Sequence, residues 1–423
     1  MSLMARAVRS PWIVLFIVLL ALALRVAMTS VFVGLGSPPK GEAGGLDVID
    51  YEGFAWRMVD GQGYVLPSGV ATARRSPGTS FSLVPIYFLF GHSYLAAHLW
   101  FCLLSSLTCG ATIWLAGMAT SREAAVLAGL WLAMYPGHAY MSMHFFSEVP
   151  FALALVLACA TTCRLFQRGG LLCAIVAGAL WGAASLIRPN TLAVLPVGLV
   201  WFALLPSCRT VANFRRLAIV VAVAAITVLP WVLRNAVVMG KPTIATVVGG
   251  YTFWGANNEL VLSDPELRGL WVFGPSLVDE HPLVGDEVAR ESMAWRYGLY
   301  FIRTHLDDMP GLIAARLRRL VSPFEATANR PVYYSFGVAW LLTSPFVAYG
   351  MILVSRDRRL AAVVLLTPIL TTIATAVVFY GSIRFRDSVA PLLLVFAATA
   401  LVKALRGVEV FVQARRASAS RRI

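Results

Sequence analysis

The segment GGLDVIDYEGFAWRMVDGQGY, residues 44–64, places Asp47, Asp50, Glu52 and Asp60 just beyond a long apolar run. Carboxylates at such a boundary either serve as proton acceptors for a hydroxyl or amine nucleophile or stand as solvated interfacial acids. A further acid, Glu148, lies within an apolar stretch near its end. An ionisable group there is costly to keep and is a functional candidate by default. His144 precedes it by four residues and falls on the same helix face, with His138 close by. Acid and histidine together offer a place for a divalent ion, although no strong metal-ligand spacing is present. Arg75, Arg188, Arg234, Arg384 and Arg386 flank the apolar runs. Guanidinium groups in that position neutralise phosphate oxygens or anchor span ends by snorkelling. Trp254, Asn257 and Asn258 add an aromatic face and amides of the kind that suit sugar recognition, and aromatic rings also form the interfacial belt of membrane proteins.

The elements that must hold these groups follow from composition. The chain has 423 residues, 59% of them hydrophobic and only 13% charged. Soluble domains carry about a quarter charged residues, so a polytopic helical membrane protein is expected. Hydropathy predicts ten spans of the length that crosses a bilayer: 12–33, 92–117, 123–139, 147–166, 170–187, 191–206, 217–233, 335–354, 360–380 and 388–404. The first is too long for the core of a signal peptide and is expected to be retained. The six cysteines show no redox or zinc spacing and read as small buried apolar residues.

Two long polar segments, 34–80 and 234–331, separate the spans, and a basic tail occupies 405–423. With the N-terminus cytoplasmic, the inner loops carry 17 basic residues, among them Arg122, Arg164, Arg168, Arg215, Arg216, Arg356 and Arg406, against three acids. The remainder holds 18 of each sign, so the whole net charge of +14 lies on one side. That is the bias that orients membrane proteins. The basic composition therefore reflects topology rather than nucleic-acid binding. Both termini are expected in the cytoplasm of an inner or plasma membrane, and both long segments outside it. Val48, Tyr51, Ala55 and Met58 recur at helical spacing, and Gly61 and Gly63 close the pattern, which predicts an interfacial helix over 46–59. A second in-plane or re-entrant helix is predicted over 79–90, and another around Trp295, Tyr297 and Tyr300.

Several motifs then occur in order. The stretch with Asp47, Tyr51, Ala55, Gly61-Gln62-Gly63-Tyr64 and Arg75-Ser76-Pro77-Gly78 resembles the first outer loop of the GT-C glycosyltransferases, which include protein O-mannosyltransferases and lipid A aminoarabinose transferases. Ser76 departs from that pattern, where a proline is usual. FFSEVPF (145–151), GAASLIRPN (182–190), LPWVLRN (229–235), FWGANNE (253–259, with Ala256 extra) and RFRDSVAPLLL (384–394) resemble later family motifs. The resemblance spans nearly the whole chain. It implies a single all-α GT-C membrane domain over 1–423, with 34–80 as catalytic outer loop. It implies inverting transfer of a sugar from a polyprenyl-phosphate donor to an envelope glycan, lipid or protein acceptor. On that reading Asp47, Asp50 and Glu148 are catalytic, and Arg75, Arg188, Arg234, Arg384 and Arg386 meet the donor phosphate. Tyr51, Tyr64, Trp254, Asn257 and Asn258 bind substrate, and His144 with Glu148 would take any divalent ion. A transporter or flippase for lipid-linked glycans is the alternative; it would need a polar path across the membrane midplane.

Overall fold

The computed structural model describes residues 10–420, apart from 11, 42–45, 195, 199, 201–209, 245, 273–274, 325–329 and 358. Arg6, Arg9, Arg209, Arg358, Arg421, Arg422 and Cys208, and half of the span expected over 191–206, lie outside the described residues. Every regular element among them is helical; one isolated antiparallel bridge joins Val65 and Ala71.

The chain opens with α1 (Trp12–Phe32), then the interfacial pair α2 (Leu46–Val59) and α3 (Gly78–Phe90). Next come α4 (Tyr94–Ala119), α5 (Arg122–Met134), α6 (Pro136–Ser142), α7 (Glu148–Arg168) and α8 (Leu171–Ile187). A 3-10 turn (Pro189–Ala193) leads towards α9 (Val211–Met239). The second long polar segment contains α10 (Gly249–Ala256), α11 (Glu259–Ser263), α12 (Pro275–Glu280), α13 (Glu287–Thr304) and α14 (Met309–Val321). α15 (Arg330–Asp357), α16 (Arg359–Val378), α17 (Ile383–Ser388) and α18 (Ala390–Ser420) complete the chain.

Seven of these helices are long and apolar enough to cross a membrane, fewer than the ten spans predicted. α8, with 17 residues, sits at the lower limit of spanning length. The span expected over 123–139 is instead two helices, broken before Pro136, because proline cannot continue the hydrogen-bond ladder of α5. The carbonyls freed at the break are taken by Arg25 of α1. Its guanidinium donates to Ala133 O at 3.1 Å, Leu132 O at 3.4 Å and Ser105 Oγ at 2.6 Å. Hydropathy averages over such a break and cannot see it. α9 and α18 extend beyond their predicted ends, and the basic tail continues α18 as helix to Ser420.

The main core joins α4, α5, α7, α16 and α18 through side chains such as Ile113, Leu132, Leu155, Leu365 and Phe396. A smaller core seats the interfacial helices: Val48 and Ala55 of α2 pack with Leu83 and Tyr87 of α3, Phe101 of α4, and Phe145. α2 and α3 thereby lie across the ends of α4 and α7. At the other end of the bundle, Arg406 pairs with Glu123 at 3.1 Å and the Gln167 amide donates to Met118 O at 3.2 Å. Residues assigned to the cytoplasmic side by charge thus meet one another.

Candidate active site

Asp47 and Asp50 stand on the first turn and a half of α2, whose apolar side buries Val48, Tyr51, Phe54 and Ala55. The helix ends at Val59, and Gly61 and Gly63 take φ of +80° and +83° to reverse the chain. The returning strand of loop, 64–77, carries Arg74 and Arg75 and is held by its backbone. Glu287 at the start of α13 accepts from Thr72 Oγ1 at 2.7 Å and Ala73 N at 3.2 Å. Thr246 Oγ1 donates to Arg74 O at 2.7 Å, and the Tyr64 hydroxyl donates to Arg75 O at 3.0 Å.

Three further elements bring their charges to the same place. Glu148 opens α7, Arg188 follows the last residue of α8, and Arg384 lies in α17, whose N-cap Ser382 accepts from the Arg384 amide. The result is one alternating run of charges. Arg74 meets Asp50 at 3.3 Å, and Asp50 meets Arg75 at 2.8 Å. Arg75 reaches Asp47 at 2.8 Å, and Asp47 stands 3.8 Å from Arg384. Arg384 meets Glu148 at 3.0 Å, and Glu148 meets Arg188 at 2.8 Å. Four guanidinium groups thus face three carboxylates, so the cluster carries one surplus positive charge. Its floor is Glu148, 1% exposed, with Arg188 at 14%; its rim is Asp47 at 31%, Arg384 at 35% and Arg74 at 40%. The Phe146 ring lies beneath the Arg384 guanidinium at 4.5 Å, and Phe385 and Phe151 flank Arg188.

Two of the guanidinium groups are held charged by their carboxylate neighbours. Burial disfavours the charge on Arg384, but Glu148 and then Asp47 outweigh it and hold the group above its ordinary value. Arg75 is also raised, burial being overcome by Asp47, Tyr51 and Asp50. Burial, helped by Asp47, pushes the Tyr51 hydroxyl up to about 12, so it remains a protonated donor and is no base. Tyr380 is likewise raised by burial, against Arg384 and with Asp47, and its ring packs on Phe385, next to Arg384 in the chain, at 4.7 Å.

Asp47, Asp50, Glu148, Arg75, Arg188, Arg384 and Tyr51 therefore converge. The others do not. Arg234 donates to Thr72 O at 2.6 Å and Tyr64 O at 2.8 Å, with its guanidinium 4.9 Å over the Trp231 ring, so it clasps the loop rather than facing a phosphate. Arg386, 4% exposed, pairs with Asp387 at 3.1 Å and donates to Ser322 O at 2.6 Å. Tyr64 is buried between Phe54 and Trp231. Trp254 lies in the outer segment's own core with Leu277 and Ala294. Asn258 caps α11, and Asn257 binds Phe253 O and the Arg316 side chain. Glu148 and His144, the pair expected to take a divalent ion, each have other neighbours. Both arginines hold Glu148 Oε1, and Ser147 donates to its Oε2 at 3.2 Å, while the His144 ring packs against Tyr140 and Phe146. Among the described residues no group of three or more His, Cys, Asp or Glu gathers.

Three members of the site were missed by sequence reasoning. Arg74 was visible as the twin of Arg75. Ser147 and Tyr380 were visible only as neighbours of Glu148 and Arg384. The clasp role makes a prediction: Arg234→Ala should lower stability by about 2 kcal/mol through unpaired buried carbonyls, seen as a lower thermal midpoint in detergent. Donor affinity of the folded fraction should be unchanged; a donor-specific loss without destabilisation would restore the phosphate role.

Residues 74–233 match the family model described as dolichyl-phosphate-mannose-protein mannosyltransferase. No curated protein sequence matches the chain. Among solved structures, the oligosaccharyltransferase AglB from Archaeoglobus fulgidus, in complex with an inhibitory peptide and a dolichol-phosphate, aligns with a TM-score of 0.59 at 15% identity. The alignment covers 96% of this chain and 51% of that one. The Archaeoglobus fulgidus oligosaccharyltransferase complex with zinc and sulfate gives 0.58 at 16% identity, covering 94% and 50%. ArnT from Cupriavidus metallidurans bound to undecaprenyl phosphate gives 0.44 at 15% identity, covering 91% and 77%. The chain spans about half the length of the archaeal structures and shares their fold.

Proposed function

We propose that this chain, which has the fold of the GT-C membrane glycosyltransferases, moves a sugar from a polyprenyl-phosphate carrier to an acceptor on the outer face of the membrane. The observation that carries the proposal is the run of four guanidinium groups and three carboxylates, drawn from five separate parts of the sequence to one end of the bundle. A transporter needs polar groups that continue to the other side. Here the paired charges of the cluster gather at one end, on α2, the loop after it, the start of α7, the residue after α8, and α17.

The chemistry follows from the rim. The donor phosphate binds the exposed edges of Arg384 and Arg75, with Arg74 beside them. Asp47, held between Arg75 and Arg384, accepts the proton of the acceptor hydroxyl or amine as that atom attacks the anomeric carbon. The bond from that carbon to the phosphate oxygen breaks, and the phosphate leaves with the electron pair. One displacement inverts the anomeric centre. The negative charge that grows on the leaving phosphate meets guanidinium groups already in place, which is where preorganised charge lowers a barrier most. Glu148 stands between Arg188 and Arg384, at 2.8 and 3.0 Å, and orients them. The donor's lipid tail has a matching surface. An apolar cavity of about 440 Å³ opens between α7, α8, α9 and α16, lined by Leu165, Trp181, Val220, Val228 and Val364. Ser185 and Thr191, on either side of Arg188 in the chain, also line it.

The proteins of this fold support a lipid-phosphate donor: their structures hold dolichol-phosphate or undecaprenyl phosphate. One also holds zinc. The carboxylates of the cluster do not fit a metal, because each is matched by guanidinium. Chelation should therefore leave turnover within about twofold of the untreated rate; a large loss restored by one cation would reverse this. The charge asymmetry supports an inner or plasma membrane with both termini cytoplasmic; the acceptor in this reading is an envelope glycan, lipid or protein.

The test is mass analysis of envelope glycans and lipids from cells with and without the gene product, paired with transfer by the purified chain from polyprenyl-phosphate sugars. A species lacking one glycosyl unit in the deletion, restored by the chain, is expected. Unchanged profiles and no transfer would overturn the proposal.

A further inference from the structure

The outer segment 234–331 clasps the cluster's loop through Arg234, Thr246, Val247 and Glu287, and it also grips the short stretch leading from α16 into α17. Arg316 of α14 is 1% exposed and has no carboxylate among its hydrogen-bond partners. Its Nη1 donates to Val377 O at 2.7 Å, in the last turn of α16. Its Nη2 donates to Ala256 O at 2.6 Å, the end of α10, and to Asn257 Oδ1 at 2.8 Å. The carbonyls at a helix C-terminus have no partner within the helix and form its negative pole, so one guanidinium caps two helices at once. Burial alone pulls its pKa down to about 10, so it stays charged at neutral pH.

The next residues are held by the same segment. The Phe379 ring meets Phe253 at 6.0 Å and Trp295 at 6.3 Å, and those two stack at 4.6 Å. The Gly381 amide donates to Gly269 O at 3.0 Å. A Cβ on Gly381 would stand 1.9 Å from Arg316 O, so the two backbones touch. Tyr380 lies inside this gripped stretch, and Arg384 follows three residues after Gly381.

We infer that Arg316, oriented by Asn257, is a positioning residue that fixes the end of α16 and thereby sets where Tyr380 and Arg384 stand against Asp47 and Glu148. Asn257, expected from its motif to touch sugar, acts instead through the arginine it holds. The inference rests on the proposed reading of Arg384 as a donor-phosphate contact.

The test compares Asn257→Ala and Arg316→Lys in the full chain, each alone and in an Arg384→Lys background. Kinetics are read together with amide hydrogen exchange. A charge-assisted bond lost should raise donor KM about fivefold in Asn257→Ala and about thirtyfold in Arg316→Lys, with acceptor KM unchanged. Because the residues act through Arg384, the same substitutions should add less than about twofold in the Arg384→Lys background. Exchange should quicken at 379–386 and not over 46–59. A fall in activity that merely tracks the folded fraction, with donor KM unmoved, overturns the positioning role, as does full additivity with Arg384→Lys. Unchanged exchange at 379–386 overturns the grip itself. Faster exchange there, with donor KM unmoved even by Arg384→Lys, would instead remove the phosphate reading and leave the grip standing.

Discussion

Replacing Asp47 by asparagine is expected to lower turnover by about 10³-fold, the range of a lost general base, while the protein is made at normal levels and still binds donor. The substitution keeps the shape and the contacts to Arg75 at 2.8 Å and Arg384 at 3.8 Å but removes the proton-accepting oxygen. It also removes one negative charge from a rim that already has a surplus cation, so phosphate binding should hold or tighten. Asp50→Asn should cost far less, about tenfold, because Asp50 is only 16% exposed and lies between Arg74 and Arg75, away from Arg384. Steady-state rates of the two variants side by side check this. Wild-type turnover in Asp47→Asn would remove the base from the scheme.

Arg384→Ala is the second large effect. Arg384 bridges Asp47 and Glu148 over the Phe146 ring. Without it Glu148, almost wholly buried, keeps Arg188 as its one cation, and the rim loses the charge best placed for a leaving phosphate. A fall of about 10² to 10³ in kcat/KM for donor is expected, with acceptor KM little changed. Arg384→Lys should recover part of it, since lysine restores the charge but not the fork that spans two carboxylates. Equal losses towards donor and acceptor would argue that Arg384 only holds the fold.

How much of this was legible beforehand depends on the range of the forces involved. α2 was predicted to its ends and α3 to within one residue, because helical spacing and the glycines after Met58 are local signals. The convergence of Asp47, Arg75, Arg188, Glu148 and Arg384 was legible only as a shared end of the spans, since hydropathy places each at or near the end of an apolar run. Hydropathy failed at 123–139, where the break before Pro136 is stabilised by Arg25, a residue about 100 positions away in the chain. Amides and buried arginines were the hardest to read. Asn257, Asn258, Arg234 and Arg386 are chemically fit for sugar or phosphate, but the structure gives them carbonyls and carboxylates of their own. A side chain's partner is set by tertiary neighbours, and nothing in its own segment reveals whether it is already taken. The same holds for Glu148, whose two guanidinium partners come from Arg188 and Arg384, far along the sequence.

The most direct measurement is equilibrium binding of undecaprenyl phosphate to the purified chain in lipid nanodiscs, compared across wild type, Asp47→Asn, Arg75→Ala and Arg384→Ala. Loss of either arginine should weaken binding about tenfold or more, while Asp47→Asn binds at least as tightly as wild type. Arginine variants that bind the lipid phosphate as wild type does would contradict the account, whatever their residual activity.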